Sequence, residues 1–280
     1  MAQSQQREEK LKPLLNDLPP GYLVDAAWLV ARNIDRKSIF NYVENGWLEK
    51  VARGVYRRPD PEIFAVEDQN EWRRTVLSIQ HLLQWHCHVG GQTAMALAGF
   101  EHYVRFDDAA PIYLYGKTPS WMKRLPNADR FRLRTNALFG TRVGISGATE
   151  SAEDSPAQTS APRRLIQSTP ERAILEWLNE LPNKTTFHAV DVVFEGLATL
   201  RPKLLMSLLQ DCSSIKVKRL FFVFADRHNH AWRKHIAKDQ IEMGVGPRAL
   251  VKGGKIHPAH LIYVPSEYLP LSEGDADDGP

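Results

Sequence analysis

The sequence predicts an α+β protein with two domains, a small one at the N-terminus and a larger mixed α/β domain after it. The chain has 280 residues, which is enough for two domains of ordinary size, and 43 % of them are hydrophobic. Residues 23–59 read as a helix, a short break, a second helix and a tight hairpin. Beyond residue 90, helical patterns and strand-like segments are mixed. The first segment has the element order of a winged helix-turn-helix, which predicts an N-terminal winged helix-turn-helix followed by a larger mixed α/β C-terminal domain.

The second helix of this segment has clear start and stop signals. Asp35 is a favourable N-cap residue, and Ile39 and Val43 form an apolar face at helical spacing. The pair Asn45-Gly46 is a typical helix end. Gly54 then supplies the turn of a hairpin.

A winged helix-turn-helix places its second helix in a DNA major groove and its hairpin beside it, so the segment predicts a DNA-binding module. Ile39, Val43, Trp47 and Leu48 are predicted to support the contact surface from beneath. The predicted DNA contacts are Arg36, Lys37, Ser38 and Asn41 on the helix, and Arg53, Arg57 and Arg58 on the hairpin. Modules of this kind also bind proteins, and arginines on an exposed strand are often only solvated.

Residues 66–86 predict a helix that packs on the winged domain or links it to the rest. We therefore expect a DNA-binding domain at residues 1–88, a C-terminal domain at 89–270, and an acidic, disordered tail at 271–280.

The C-terminal domain is predicted to begin with a small-residue helix, GGQTAMALAGF, followed by the strands PIYLYG and RFRLRT. Residues 146–162 predict an exposed loop. The segment STPERAILEWL predicts a helix with a capping box formed by Ser168 and Glu171. The remaining expectations are helices near 187–196 and 201–212, a buried strand at KRLFFVFAD, a helix at RHNHAWRKHIAK, and short strands near 248–251 and 260–264.

Two basic clusters lie in the second domain. The alternation in RFRLRT places three arginines on one strand face. The first cluster is predicted to add a nucleic-acid contact, to DNA or RNA, through Lys123, Arg124, Arg130, Arg132 and Arg134. The second extends from Arg201 to Lys238. Ordinary solvated faces are the alternative for both.

Other functional classes have weaker support. The histidines near Cys87 and between His228 and His235 have no zinc-site spacing, so we expect no metal. The sequence has no glycine-rich phosphate loop, no GxSxG and no HExxH motif, so we also expect no cofactor and no catalytic residue. A metal-dependent nuclease is one alternative, with Asp191, Glu195 and Asp226 beside Lys216 or Lys218; a protein-binding regulator is the other. Residues 1–15 lack the apolar segment of a secretory signal and no stretch is long enough to span a membrane, so we expect a cytoplasmic protein.

Three blocks in this order resemble the AbiEi-type antitoxins of bacterial abortive-infection, type IV toxin–antitoxin systems. They are GWLEKVARGVYRRP, GGQTAMALAGFEHYV, and STPERAILEWL followed by KVKRLFFVFAD. The resemblance implies a winged helix that binds operator inverted repeats in double-stranded DNA and represses its own operon, as a monomer in solution or a dimer on DNA. It also implies a C-terminal domain that counters a nucleotidyltransferase-like toxin indirectly, without a stable complex, and it supplies no catalytic residues.

Overall fold

The structure is a computed structural model that describes residues 11–60, 71–100, 110–147 and 164–270. It confirms the mixed α and β architecture, with an N-terminal domain distinct from a larger C-terminal one. The tail 271–280 and most of the predicted loop 146–162 lie outside the described residues.

The chain forms two compact units, each made of separate segments. The N-terminal unit consists of residues 1–89, 107–134 and 147–166, and the C-terminal unit of residues 90–106, 135–146 and 167–280. The predicted domain boundaries stay predictions.

The N-terminal unit contains the complete winged helix-turn-helix. Its elements are α1 (residues 11–17), β1 (Leu23–Asp25), α2 (Ala26–Ala31), α3 (Arg36–Glu44), β2 (Glu49–Ala52) and β3 (Val55–Arg57). The three strands form an antiparallel sheet in the order β1-β3-β2. Between α2 and α3 the chain turns over only four residues, which gives the helix-turn-helix its short break.

Apolar residues from these helices and strands meet in one small core. Its buried members are Leu14, Leu18, Val24, Trp28, Leu29, Ile34, Ile39, Tyr42 and Leu48. Helix α4 (Glu71–Leu77) continues as a π-helical turn at Ser78–Leu82. The Ser78 hydroxyl accepts a hydrogen bond from the Leu23 N–H at 2.8 Å, and the Trp28 indole N–H donates to the Leu82 carbonyl at 3.0 Å. The helix predicted over 66–86 is thus present from Glu71 to Leu82, where it packs on the winged module, but it ends four residues before the predicted end because Gln84 takes a left-handed backbone conformation.

A second set of strands belongs to the same unit. Strand β4 (Cys87–Val89) pairs antiparallel with β5 (Ile112–Gly116), and β5 pairs parallel with β6 (Phe131–Arg134). The two strand predictions at PIYLYG and RFRLRT are therefore confirmed. Short 3₁₀ turns at Ser120–Arg124 and Ala128–Arg130 connect β5 to β6.

The C-terminal unit is mainly helical. Its first elements are α5 (Gly91–Met95), which continues to Phe100, the strand pair β7 (Ile145–Ser146) and β8 (Gln167–Ser168), and α6 (Pro170–Leu178). They are followed by α7 (Phe187–Gly196), α8 (Pro202–Asp211) and α9 (Ile215–His228). These helices confirm the predictions near 187–196 and 201–212.

Helix α9 corrects the predicted strand at KRLFFVFAD. Every residue from Val217 to Ala225 is buried, because α9 is surrounded by other elements of its unit. An apolar run of this length fits a buried helix as well as a buried strand. The hydroxyl of Ser214 caps the helix by accepting a hydrogen bond from the Val217 N–H at 3.4 Å.

The helix predicted at RHNHAWRKHIAK is also wrong. Helix α9 ends at His228 because Asn229 has a left-handed backbone conformation, with φ of 44°. Only 3₁₀ turns follow, at Arg233–His235 and Lys238–Gln240.

Short strands complete the C-terminal unit. Strand β9 (Lys255–Ile256) pairs antiparallel with β10 (Tyr263–Val264), before a last 3₁₀ turn at Ser266–Tyr268. The strand predicted near 260–264 is confirmed, whereas that near 248–251 is reduced to a single bridge between Arg248 and Ile262. In the part of the chain that the structure describes, every helix is too short or too polar to cross a bilayer.

Candidate nucleic-acid interface

Helix α3 is fixed at both ends by its own sequence. The Asp35 carboxylate accepts a hydrogen bond from the Ser38 N–H at 2.7 Å, as a helix cap does. The helix ends at Glu44 with Asn45 as its C-cap, and Gly46 takes the left-handed conformation, with φ of 73°. Ile39 and Tyr42 hold one face of α3 in the core of the winged module, which leaves the opposite face to solvent.

The outward face of α3 is a single stripe. Lys37, Phe40, Asn41 and Glu44 occupy positions i, i+3, i+4 and i+7, which lie on one side of a helix. Asn41 is half-buried at the edge of this stripe and the other three side chains are exposed. Arg36 is exposed at the first turn. Predicted contacts Arg36, Lys37 and Asn41 therefore lie on or beside an accessible surface.

Two residues of α3 and its flank face differently from the prediction. Ser38 is only 9 % exposed, on the side of the core, so the outward position assigned to it is wrong. Trp47 is predicted to support the surface from beneath, but it is 46 % exposed. Because the chain turns at Gly46, Trp47 is exposed and the next residue, Leu48, is buried as predicted.

The hairpin has a turn of two residues, Arg53 and Gly54. Ala52 pairs directly with Val55, and Gly54 has φ of 75°, a conformation that favours glycine. The Arg53 side chain is exposed at this tip. Of the three arginines predicted to contact DNA from the hairpin, Arg53 alone is placed at the turn.

Arg57 and Arg58 form contacts inside the N-terminal unit. Arg57 forms ion pairs with Glu49 at 2.9 Å and with Glu71 at 3.1 Å. Arg58 donates to the carbonyls of Leu15 and Leu18 at the C-terminal end of α1. These side chains connect the returning strand to α1 and α4, so both guanidinium groups have hydrogen-bond partners inside the unit.

The first basic cluster lies in the same unit as the hairpin. Arg124 donates a hydrogen bond to the Arg53 carbonyl at 3.3 Å, and the Trp121 indole N–H donates to the Asp25 carboxylate at 3.2 Å. The 3₁₀ turn that carries Lys123 and Arg124 is thereby held against the winged module. Both side chains are exposed.

The other arginines of this cluster differ in exposure. Arg130 lies in the 3₁₀ turn before β6, so the predicted face of three arginines on one strand is reduced to Arg132 and Arg134. Arg132 is exposed, and its guanidinium also donates to the Asp129 carbonyl. Arg134 is half-buried, with its guanidinium 5.4 Å from the centre of the Tyr113 ring. Arg130 has a buried Nε atom. Lys123, Arg124 and Arg132 are therefore the accessible members of the cluster.

The second basic cluster is used mainly inside the C-terminal unit. Lys216 donates to the carbonyls of Asn179 and Leu181, and burial lowers its pKa. Buried Arg219 donates to four backbone carbonyls, those of Met243, Gly244, Gly246 and Leu261. Arg201, Arg227 and Arg233 pair with Glu171, Asp191 and Asp226. These contacts favour a structural role for this cluster.

Two of the three acidic residues of the nuclease alternative, Asp191 and Asp226, also have structural partners, and the third, Glu195, is exposed on α7. His228 contacts Asp191 at 2.7 Å, and His260 contacts Asp226 at 2.8 Å. Lys216, the proposed basic partner, instead binds carbonyls near α6. Within the described ranges, no three His, Cys, Asp or Glu side chains come together as a metal site would require.

Residues of the STPERA segment form contacts within the C-terminal unit that the spacing of Ser168 and Glu171 did not predict. Thr169, and not Ser168, occupies the N-cap of α6, so the predicted capping box is wrong. The Ser168 hydroxyl donates to Glu176 at 2.8 Å, and Glu171 binds Arg201 at 2.9 Å. Pro170 is the first helical residue, a position that suits proline because its backbone needs no hydrogen-bond donor there.

Comparisons with known proteins place these features in a family. The family model described as "Transcriptional regulator, AbiEi antitoxin N-terminal domain" matches residues 7–106, and the model described as "Transcriptional regulator, AbiEi antitoxin, Type IV TA system" matches residues 110–265. The search of curated proteins finds no match.

One solved structure shares the fold. It is the crystal structure of the RV2827C protein from Mycobacterium tuberculosis, with a TM-score of 0.51 and 15 % sequence identity. The alignment covers 86 % of this chain and 85 % of that one, and at this identity it supports the fold alone. The family models span the winged module and most of the C-terminal unit, and this chain belongs to the AbiEi antitoxin family of transcriptional regulators of type IV toxin–antitoxin systems.

Proposed function

We propose that the chain binds double-stranded DNA at operator inverted repeats and represses its own promoter. The observation that carries this proposal is the exposed stripe on α3 beside a hairpin whose tip is held to a second basic segment by the Arg124 to Arg53 hydrogen bond. The stripe is suited to the major groove, and the cations beside it are suited to phosphates. The family of transcriptional regulators to which the chain belongs supports this function.

The contacts divide into two groups. Lys37 and Asn41 are proposed base contacts, because asparagine pairs with adenine through two hydrogen bonds and lysine binds guanine acceptors. Arg36, Arg53, Lys123, Arg124 and Arg132 are proposed phosphate contacts. Ser38, Arg57 and Arg58 are excluded from this proposal because they are buried or paired inside the unit.

An inverted repeat has twofold symmetry, so one copy of the chain would occupy each half-site. We propose a monomer in solution that becomes a dimer on DNA. The second activity is proposed to be neutralisation of a nucleotidyltransferase-like toxin in the cytoplasm through the C-terminal unit, without a stable complex. The family description supports the antitoxin function in general.

Binding of the full chain to its own promoter tests the first part. Fluorescence anisotropy with a labelled promoter fragment should give an affinity that falls with salt. With about four to six phosphates neutralised by each copy of the chain, log affinity per bound copy should change with log salt at a slope of roughly −4 to −5. An unrelated duplex of equal length should bind more weakly at every salt concentration.

Matched variants locate the contact. Lys37→Ala should weaken binding, whereas Lys203→Ala, an exposed lysine of the C-terminal unit, should leave it unchanged. Equal affinity for all duplexes would contradict a sequence-specific repressor. Degradation of the DNA only with added Mg²⁺ or Mn²⁺ would instead support the nuclease alternative.

A further inference from the structure

Phe40 is an aromatic side chain in an unexpected place. It is 63 % exposed, although it lies on a short helix that buries Ile39 and Tyr42 on its other side. The sequence pattern gave it no function. Large exposed apolar side chains on a contact surface often mark the point where a partner binds.

The neighbours of Phe40 indicate which partner fits. Lys37 precedes it by three residues and Glu44 follows by four, so Phe40 is at the centre of the outward stripe. A partner protein would have to cover this aromatic ring together with the charges on both sides. Exposed Arg36 and Lys37 at the start of the helix attract an anionic partner instead.

Glu44 limits the orientation in which an anionic partner such as DNA can lie against α3. Its exposed carboxylate repels phosphates, so the part of α3 from Phe40 to Glu44 should face base edges and not the sugar–phosphate backbone. In the major groove, the exposed apolar group of a base pair is the 5-methyl group of thymine, which aromatic side chains contact.

We propose that Phe40 is a specificity-determining residue that contacts a thymine 5-methyl group in the operator. This inference rests on the proposed function, because it assumes that α3 enters the major groove. The contact would add a preference for thymine at one position of each half-site, beside the bases contacted by Lys37 and Asn41.

The test compares two forms of the same promoter fragment. A copy synthesised with deoxyuridine in place of thymidine lacks every thymine 5-methyl group but keeps all base pairs. The full chain should bind the uracil form about fourfold more weakly for each 5-methyl group that Phe40 covers, as expected for removal of one buried methyl group. Phe40→Ala should bind the thymine form more weakly and should show no difference between the two forms.

Two further variants separate folding from contact. Phe40→Leu keeps an apolar side chain and should retain part of the thymine preference. Val30→Ala changes an apolar side chain that is 54 % exposed on α2, outside the stripe, and should behave as the natural chain does. Phe40→Ala, Phe40→Leu and Val30→Ala should have equal melting temperatures, because the altered side chains are exposed.

The outcomes are distinguishable. If neither DNA form binds, the proposed function fails. If the chain binds the thymine and uracil forms with equal affinity and prefers both to an unrelated duplex, the repressor proposal stands and the assignment of Phe40 is wrong. If Phe40→Ala changes the oligomeric state in sedimentation without DNA, Phe40 is a contact between copies, which also overturns the assignment.

Discussion

The carboxylate of Glu176 accepts a hydrogen bond from the backbone N–H of Gly91 at 3.0 Å. Glu176 lies on α6 and Gly91 is the first residue of α5, 85 positions earlier in the chain. The same carboxylate accepts hydrogen bonds from Ser168 at 2.8 Å and from Arg172 at 3.0 Å. Two of the sequence blocks that carry the family resemblance therefore meet at one buried group.

Arg172 extends this connection to the segment before β7. Its guanidinium is fully buried and donates to the carbonyls of Thr141 and Val143 and to the Asn136 side chain. A buried cation with one carboxylate partner is stable only while that partner remains. These two blocks therefore contribute to the folding of the C-terminal unit.

The first prediction concerns Glu176→Gln. Removal of the carboxylate charge leaves Arg172 buried without its ionic partner, so the free energy of unfolding should fall by about 3–5 kcal/mol. Urea denaturation followed by circular dichroism measures this change. Glu195→Gln, at an exposed position on α7, should change stability by less than about 0.5 kcal/mol. Equal changes in the free energy of unfolding for the two variants would show that the buried Arg172–Glu176 pair contributes no more to stability than an exposed carboxylate.

The second prediction separates the arginines of the hairpin. Arg53→Ala and Arg124→Ala should each reduce the magnitude of the salt slope per bound copy by about 1, because each removes one phosphate contact from every copy. Arg57→Ala should leave the slope unchanged, since its guanidinium is engaged by Glu49 and Glu71. Anisotropy titrations at a series of salt concentrations measure the slopes. A reduced slope for Arg57→Ala, with those for Arg53→Ala and Arg124→Ala unchanged, would reverse the assignment.

The sequence predicted the winged module well because its signals are local. The cap at Asp35, the end at Asn45-Gly46 and the turn at Gly54 are each decided by residues next to one another. The sequence did not predict that Phe40 is exposed, because the outward face of α3 was assigned from its charged and amide side chains.

The predictions that the structure corrects concern residues whose contacts are distant in sequence. Arg57 and Arg58 read as free cations although both have partners. Glu71 lies 14 residues from Arg57, the end of α1 lies 40 residues or more from Arg58, and the nearer partner Glu49 is eight residues away on the other strand of the hairpin. The run from Leu220 to Phe224 reads as a strand, and the surrounding helices that bury it on all sides as α9 are not visible locally.

The third prediction concerns pH and stability at His257. This imidazole is buried, its Nδ1 atom has no hydrogen-bond partner, and its ring stacks on that of His260 at 4.6 Å. Burial, together with nearby His260 and Lys238, lowers the pKa of His257 from 6.5 to about 4. Between these two pH values the unfolded chain binds a proton at this residue and the folded chain does not.

The free energy of unfolding should therefore decrease as the pH falls from 6.5 towards 4, by at most about 3 kcal/mol from this residue. Urea midpoints of His257→Gln should depend less steeply on pH in this range than those of the natural chain. His188→Gln, the same substitution at an exposed position on α7, serves as the control. Parallel curves for the natural chain and His257→Gln would show that His257 does not titrate differently on folding.

The last prediction tests whether repression and antitoxicity can be separated in the full chain. Lys37→Ala combined with Arg53→Ala removes two exposed cations of the N-terminal unit and leaves the C-terminal unit, with its own apolar core, unchanged. The double variant should lose repression of a promoter reporter. When expressed from an independent promoter, it should still restore growth to cells that produce a nucleotidyltransferase-like toxin encoded beside it. Lys203→Ala should retain both activities. If the double variant is stable in these cells but fails to protect them, DNA binding is itself required for antitoxicity, and the C-terminal unit does not act independently.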